Sequence, residues 1–205
     1  HNGGTPILPI YSTFLQRAYD QIINDLCINN SNALILVYRA SIYGNKDMTH
    51  LGFNDITMLG NMPNLMYLAP TTVEELESSI RYGLEHHNHP IAIRIPVGSP
   101  IYETSQSNTT GCPVTSYDIT QSGSTIAIIG VGNFYHKAVE LSHAIHDAMH
   151  ISPTLVKPLC ISSLDTDTFN KLRKNHNIVI TLEDGELEGG YGQKIASYYG
   201  KTSMN

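Results

Sequence analysis

The sequence predicts an α/β fold, built from two three-layer α/β/α domains with mostly parallel sheets. Two observations support this class. Short apolar segments of strand length alternate with amphipathic segments of helix length, and one irregular stretch interrupts the alternation. Apolar strands connected by helices are typical of parallel sheets covered on both faces. The chain of 205 residues is long enough for one large domain or two smaller ones.

Four predicted strands occupy the first half of the chain. The first, TPILPIY, leads into an amphipathic helix that we expect to begin at about Phe14, after a capping box of Thr13 and Gln16. A second capping box, Thr72 with Glu75, predicts the start of the helix TVEELESSIRYGLEH. The other three strands are predicted at residues 33–40, 65–70 and 91–97.

The second half of the chain begins with an irregular stretch. Residues 98–123 are rich in Ser, Thr, Gly and Pro and have no sustained period, which indicates a linker. After it come a strand (STIAIIGVG), a helix (NFYHKAVELSHAIHDAM), a strand (SPTLVKPL), a helix (DTFNKLRKNH), a strand (NIVITLED) and a helix (GQKIASYY). We therefore expect a first domain at residues 1–98, a linker at 99–123 and a second domain at 124–205.

Charge and composition argue against several classes of partner. The formal net charge of −6 disfavours nucleic acid and anionic membranes, both of which require a basic surface. No apolar run approaches the roughly 18 residues of a spanning helix, and no signal-peptide pattern opens the chain. Three widely spaced cysteines suit reduced thiols, so we expect a cytoplasmic protein. Because the chain starts with His1 and enters a strand almost at once, we expect it to be a fragment of a longer protein.

The histidines suggest a metal site but lack the remaining ligands. No cysteine or carboxylate completes a zinc spacing near either group, and histidines at a helix C-terminus also complement its dipole. We therefore predict no metal site in this chain. The two groups are His86, His87 and His89 near a helix end, and His143, His146 and His150 at helical spacing.

A candidate site for an anionic substrate follows the second strand. Arg39 closes that strand, and the Gly-bearing loop behind it contains Lys46, Asp47, His50 and Asp55. Arginine offers a fork of donors to phosphate or carboxylate, and histidine can move protons near neutral pH. Loops that follow strands often carry function. The alternative is a solvated polar loop that only connects two elements.

Several segments resemble the 1-deoxy-D-xylulose-5-phosphate synthase family. YSTFLQRAYDQI recurs there almost unchanged, and YRASIYGNKDMTHLGFNDITML is similar to the family's stretch DRAG-x-x-G-x-D-G-x-T-H-x-G-x-F-D. Further segments resemble the family in the same order, so the resemblance covers essentially the whole chain. They are NMPNLMYLAPTTVEELESSIRYGL, IAIRIPVG, LVKPL and TLEDGELEGGYGQ.

This resemblance implies part of a transketolase pyrimidine-binding domain followed by a transketolase C-terminal domain. The family enzyme is a homodimer that uses thiamine diphosphate and Mg²⁺ to condense pyruvate, with loss of carbon dioxide, with glyceraldehyde 3-phosphate. Its product feeds isoprenoid and thiamine biosynthesis. The domain that holds the diphosphate through Mg²⁺, and the glutamate that activates the aminopyrimidine, would precede this chain. The resemblance thus implies a transferase of which this fragment alone is inactive.

The resemblance also implies roles for individual residues. Phe14 and Arg17 are the implied cofactor contacts, with Phe14 packed on the thiamine pyrimidine ring. His50 is the implied catalytic residue, for proton transfer or polarisation. The implied substrate contacts are Tyr11, Arg39, which would bind the phosphate, and Asp47.

Three positions depart from the family pattern. Lys46 stands where the family has its loop aspartate, Tyr38 replaces the acid of DRAG, and Val97 replaces a phosphate-binding arginine. Loss of one charge-assisted phosphate contact costs about 1.5–3 kcal/mol. The departures leave two alternatives open. One is a degenerate paralogue that serves as a binding or dimerisation module, and the other is a transketolase-superfamily enzyme with another acceptor, such as a transketolase half or a dehydrogenase β-subunit.

Overall fold

The computed structural model of the protein describes residues 4–42, 48–85, 88–98, 101 and 115–202. Its strands and helices follow the predicted order, except that a short helix at Asp55–Leu59 lies where the sequence predicts only a loop. The strands are β1 (Ile7–Tyr11), β2 (Leu34–Tyr38), β3 (Met66–Leu68), β4 (Ile91–Arg94), β5 (Asp118–Gln121), β6 (Thr125–Gly130), β7 (Thr154–Lys157) and β8 (His176–Leu182). The α-helices are α1 (Ser12–Leu15), α2 (Tyr19–Gln21), α3 (Asp55–Leu59), α4 (Val73–Glu85), α5 (Tyr135–Met149), α6 (Thr166–Asn175) and α7 (Tyr191–Thr202).

The strands form two four-stranded sheets. The first has the order β1-β2-β4-β3 and every neighbouring pair is parallel. The second has the order β5-β7-β6-β8 and is parallel except for β5, which runs antiparallel to β7. The prediction of two α/β domains with mostly parallel sheets is confirmed. β5 lies inside the stretch in which the sequence predicts a linker. The sequence pattern does not reveal this strand, because its four residues, DITQ, contain no apolar run.

Helices cover both faces of the first sheet. Successive residues of a strand point to opposite faces, so each strand contributes to two cores. Leu34 and Ile93 belong to a buried cluster against which Leu76 of α4 packs. Ile35 belongs to a second cluster, which also contains Leu15 of α1. The apolar runs of β2 and β4 therefore arise because these two strands are buried on both sides.

The helical segment after β1 is less regular than its sequence pattern suggests. Between α1 and α2 lies a 3₁₀ turn (Gln16–Ala18), and α2 continues into a π-helical turn (Ile22–Cys27). The predicted capping box of Thr13 and Gln16 is wrong: α1 begins at Ser12, and its N-cap residue makes no side-chain capping bond. A tertiary contact marks the start of the helix, since the Ser12 hydroxyl donates to the Gly52 carbonyl oxygen at 3.3 Å.

The capping box predicted for α4 is confirmed in part. The Glu75 N–H donates to the Thr72 hydroxyl at 3.2 Å, as in a capping box. The reciprocal bond goes one residue further back, because the Glu75 carboxylate accepts from the N–H and hydroxyl of Thr71 at 2.7 and 2.6 Å.

The second sheet is covered in the same way. Ile126 and Ile128 of β6 belong to a cluster against which α5 packs. Ala127 and Ile129 point the other way, into the cluster that contains Phe169 of α6 and residues of α7. That cluster also includes Leu15 and Ile35 of the first domain, so one apolar core runs through both domains.

The second domain pairs directly with the edge of the first sheet. The Ala69 N–H donates to the Leu159 carbonyl at 2.8 Å, and the Ile161 N–H donates to the Tyr67 carbonyl at 2.8 Å. Residues 159–162 thus cover the outer edge of β3, and we call this junction of the two domains the seam.

Among the helices of the described ranges, none is long and apolar enough to cross a membrane.

Candidate functional site

The candidate site lies at the carboxyl edge of the first sheet. Because β1, β2 and β4 are parallel, their final residues emerge at the same edge, which is where ligands bind in open α/β sheets. The loop that contains His50 folds back onto this edge. Ser41 and Gly52 exchange backbone hydrogen bonds of 2.9 and 3.1 Å, which ties the loop to the end of β2.

Four residues predicted from the sequence come together here, and we call them the aromatic group: Tyr11, Phe14, Arg39 and His50. The rings of Tyr11 and Phe14 stack with centroids 5.9 Å apart, and His50 meets Phe14 edge-on at 5.6 Å. The Arg39 guanidinium carbon lies 5.0 Å from the centroid of the Tyr11 ring. Tyr11 and Phe14 are each 40% exposed, so the group presents an aromatic and cationic surface to solvent.

Backbone strain marks the corner that holds this group. Arg39 has a φ of 51°, and Ser41 has a φ of 120°. Residues in such regions persist where their surroundings fix them, often at functional sites. Gly52 explains the close packing here, because a Cβ on it would lie 2.1 Å from the Arg39 carbonyl oxygen. The backbone turn at Arg39 and the close approach of Gly52 to the Arg39 carbonyl oxygen thus depend on each other.

Neighbours position the His50 ring and the backbone of Val97. The Thr49 hydroxyl and His50 Nδ1 are hydrogen-bonded at 2.8 Å, and which atom donates depends on the imidazole tautomer. Val97 is half-buried, and its N–H donates to the side-chain oxygen of Asn133 in the second domain at 3.2 Å. The second domain therefore contacts the position at which the sequence departs from the family's arginine.

The remaining predicted site residues are not brought into the aromatic group. Arg17 lies exposed in the 3₁₀ turn after α1. Asp47 lies outside the described residues, as do Lys46, His86 and His87. His143, His146 and His150 lie exposed along or just after α5. In the described ranges no group of three or more His, Cys, Asp and Glu side chains could hold a metal ion.

Asp55 is not a loop residue open to substrate, as the sequence suggested, but part of a buried charge cluster. Arg94 donates from Nε to Asp55 at 2.7 Å and from Nη1 to Asp184 of the second domain at 2.5 Å. The Tyr67 hydroxyl donates a short hydrogen bond to Asp55. The side chain of Arg94 is 3% exposed and those of both aspartates 0%.

Electrostatics keep Arg94 charged and Tyr67 protonated. Burial lowers the pKa of Arg94, but the negative charges of Asp55 and Asp184 outweigh burial and raise that pKa well above its usual value. Burial, together with the charge of Asp55, raises the pKa of Tyr67 well above its usual value. Arg94 therefore stays cationic and Tyr67 stays a hydrogen-bond donor. Sequence analysis missed this cluster, although an arginine in the wholly buried strand IAIR needs a buried carboxylate.

Two lysines of the second domain add polar contacts across the seam. Lys157 forms a 2.5 Å ion pair with Glu75 of α4, and both side chains are at least nine-tenths buried. Lys194 donates to the carbonyl oxygens of Gly60 at 2.7 Å and of Ser162 at 3.1 Å. Burial lowers the pKa of Lys194.

Comparisons with known proteins agree with this architecture. The model described as "Transketolase, pyrimidine binding domain" matches residues 1–100, and "Transketolase, C-terminal domain" matches residues 116–205. Two curated relatives are named 1-deoxy-D-xylulose-5-phosphate synthase. The one from Gloeothece citriformis is 36% identical over 95% of this chain and 31% of its own length, and the one from Clostridium tetani is 32% identical over 99% and 32%. The chain thus spans about a third of the length of these relatives.

A solved structure supports the fold. It is titled "Split gene transketolase, inactive beta4 tetramer" and matches with a TM-score of 0.85 at 19% identity, covering 98% of this chain and 63% of the other. At that identity the match shows the fold alone.

Proposed function

Because the chain belongs to the transketolase family, through a pyrimidine-binding domain and a C-terminal domain, we propose that it is part of a thiamine diphosphate-dependent transferase. The activity we propose is that named for its relatives, the decarboxylative condensation of pyruvate with glyceraldehyde 3-phosphate. The observation that carries the proposal is the aromatic group at the carboxyl edge of the first sheet. We place the complete protein in the cytoplasm as a homodimer.

The aromatic group fits the thiamine half of the cofactor. Phe14 offers an exposed ring already ordered by stacking on Tyr11, a surface suited to a flat pyrimidine. Arg17, exposed one turn later, would lie on the same side. Thiamine diphosphate supplies carbanion stabilisation when it is bound. The diphosphate and Mg²⁺ would be held by residues that correspond to the two thirds of the relatives' length that this chain does not match.

Arg39 and His50 have separate roles toward the substrate. The Arg39 guanidinium is exposed and oriented by the Tyr11 ring, so it can donate to the phosphate of an aldehyde phosphate. His50, held by Thr49 and beside the Phe14 ring, is placed to move a proton to or from the reacting oxygen. Asp47 would add a polar contact to the substrate. With Val97 in place of a second cation, Arg39 carries a larger share of phosphate binding.

We also propose that this chain is inactive by itself. The residues that would bind Mg²⁺ and the diphosphate are not among those that form the aromatic group.

The second candidate is a catalytically degenerate module for binding or dimerisation. Lys46 and Val97, which replace residues of the family pattern, favour it. An enzyme of the same superfamily with a different acceptor would account for Val97 equally well.

Steady-state kinetics of the full-length protein tests the first candidate. Arg39→Ala should raise KM for the aldehyde phosphate by roughly tenfold or more, because one charged hydrogen bond contributes about 1.5–3 kcal/mol. His50→Ala should lower kcat and leave KM nearly unchanged. Val97→Arg should lower KM. If Arg39→Ala leaves KM unchanged and Val97→Arg has no effect, phosphate does not bind here and the degenerate module is favoured.

A further inference from the structure

We propose that Arg94 and Asp184 are positioning residues for the loop that carries His50, so that the second domain holds the geometry of the site. Neither side chain belongs to the aromatic group. They act through Asp55, the first residue of α3, which follows His50 in the chain after one short turn. The inference rests on the proposed function only for the role of His50.

The loop between His50 and α3 is held at two points. At Gly52 it is fixed by the paired hydrogen bonds with Ser41 and by the hydroxyl of Ser12. At Asp55 it is fixed by two hydrogen bonds from Arg94, of 2.7 and 3.3 Å, and by the short bond from Tyr67. The first point belongs to the carboxyl edge of the sheet, and the second is buried at the seam.

The guanidinium of Arg94 connects the second point to the other domain. Its planar fork presents Nε and Nη2 to Asp55 and Nη1 to Asp184, so one rigid group sets the distance between α3 and the end of β8. Gly132, with a φ of 51°, brings the backbone of the second domain close to Nη1.

The charges of the cluster make Asp184 dependent on Arg94. One guanidinium faces two buried carboxyl groups, so both aspartates share Arg94 as their cationic partner. Within the described residues, Oδ2 of Asp184 has no hydrogen-bond partner. The charge of Asp184 is therefore compensated through Arg94, and loss of either group leaves the other without its partner.

A second ion pair across the seam provides the matched control. Lys157 and Glu75 are also buried and also join the two domains, but Glu75 lies on α4 and bonds Thr71, away from the loop of His50. A variant of Lys157 should weaken the junction of the domains without releasing Asp55.

Hydrogen exchange of the 205-residue chain tests the proposal without requiring turnover. Asp184→Asn and Lys157→Met are compared at equal distances below their own melting temperatures. The reporters are the Gly52 amide and the NMR signals of the His50 ring, assigned with His50→Gln. In Asp184→Asn the Gly52 amide should exchange about tenfold faster or more, and the His50 signals should shift. Lys157→Met should change neither.

Arg94→Lys keeps the experiment decisive if Asp184→Asn does not fold. Lysine retains the positive charge but lacks the planar guanidinium that bonds both aspartates, so this variant should also speed hydrogen exchange of the Gly52 amide. Unchanged Gly52 exchange in whichever of these two variants folds would overturn the proposal, as would an equal change in Lys157→Met. Because activity is not measured, a failed proposal here is distinguishable from a failed assignment of function, which the kinetics of Arg39→Ala and His50→Ala decide.

Discussion

The two edges of the first sheet differ in what covers them. β3, at one edge, pairs with residues 159–162 of the second domain, and the Tyr67 side chain there is fully buried beside a charge cluster. β1 lies at the other edge and exposes Ile7 by 50% and Leu8 by 45%. In the described part of the chain, β1 pairs only with β2. One edge is thus closed by this chain, while the other exposes apolar side chains and ends at Tyr11, a member of the aromatic group.

The difference shows where the chain depends on its own contacts. A buried ion pair contributes little net stability, but removing one partner leaves an uncompensated charge in a dry place. Exposed aromatic and aliphatic side chains have no such penalty when they are changed. We therefore expect the stability of the chain to depend on the seam, while the β1 edge and the aromatic group matter for what they bind.

Removing the central cation of the seam should have the largest effect. Arg94→Met should lower the free energy of unfolding by about 3–5 kcal/mol, because Asp55 and Asp184 would remain buried without a counter-charge. Arg17→Met, which replaces an exposed arginine in the 3₁₀ turn after α1, should change it by no more than about 0.5 kcal/mol. Urea denaturation of both variants measures the difference. A loss below about 1 kcal/mol for Arg94→Met would remove the contrast between the edges.

A glycine in the loop between His50 and α3 should have the next largest effect on stability. Gly52→Ala places a methyl group 2.1 Å from the Arg39 carbonyl oxygen, so the loop must shift, at a cost of about 1–3 kcal/mol. Gly4→Ala is the control, since no atom lies within 4 Å of a Cβ built there. Thermal unfolding should separate the two variants. Equal melting temperatures would mean that the loop accommodates the added methyl group.

A smaller effect should appear as a pH dependence near the seam. Asp165 caps α6 and accepts from the Tyr117 N–H at 3.0 Å, close after the segment that covers β3. Burial raises its pKa, but hydrogen bonds from Tyr117 and Thr168 outweigh burial and lower it. As pH falls, Asp165 is protonated first in the unfolded chain and only at lower pH in the folded chain. Below the folded pKa it is protonated in both the folded and the unfolded chain. The contribution of Asp165 is therefore complete above about pH 4 and lost as pH falls through the lower folded pKa.

Asp165→Asn removes the charge and keeps one N-cap oxygen, because asparagine is an equally good N-cap residue. Its amide cannot accept at both positions, as the Asp165 carboxylate does from Tyr117 and Thr168. Free energies of unfolding measured by urea titration from neutral pH to pH 3 should differ between wild type and variant at neutral pH and converge in acid. Parallel curves would show that the charge of Asp165 does not contribute.

The sequence predicts the elements on which local patterns act, and fails where distant contacts decide. Apolar runs identify seven of the eight strands. β2, β4, β6 and β7 have such runs because they are buried, whereas the run of β1 is largely exposed. β5 is missed since its side chains are mostly exposed and its pairing partner, β7, lies far along the chain. The start of α1 is misplaced because Ser12 bonds to Gly52 and no local cap operates.

The candidate site was predictable from the sequence, whereas the buried cluster at the seam was not. Tyr11, Phe14, Arg39 and His50 lie in segments that resemble a known family, and parallel strands bring those segments to one edge. Asp184 could not be found from its own segment, because its role depends on Arg94, ninety residues earlier in the chain.

The smallest effect should come from the β1 edge itself, and it tests the contrast most directly. Leu8 is 45% exposed on a strand that pairs with β2 alone among the described strands, so Leu8→Lys removes little buried apolar surface. The free energy of unfolding should change by no more than about 0.5 kcal/mol. A charged residue also discourages pairing between edge strands, so sedimentation should show no more self-association than in wild type. If Leu8→Lys instead lowers stability by more than about 1 kcal/mol, and lowers it more at high protein concentration, then copies of the chain cover this edge in solution. The β1 edge would then be a closed surface like the seam.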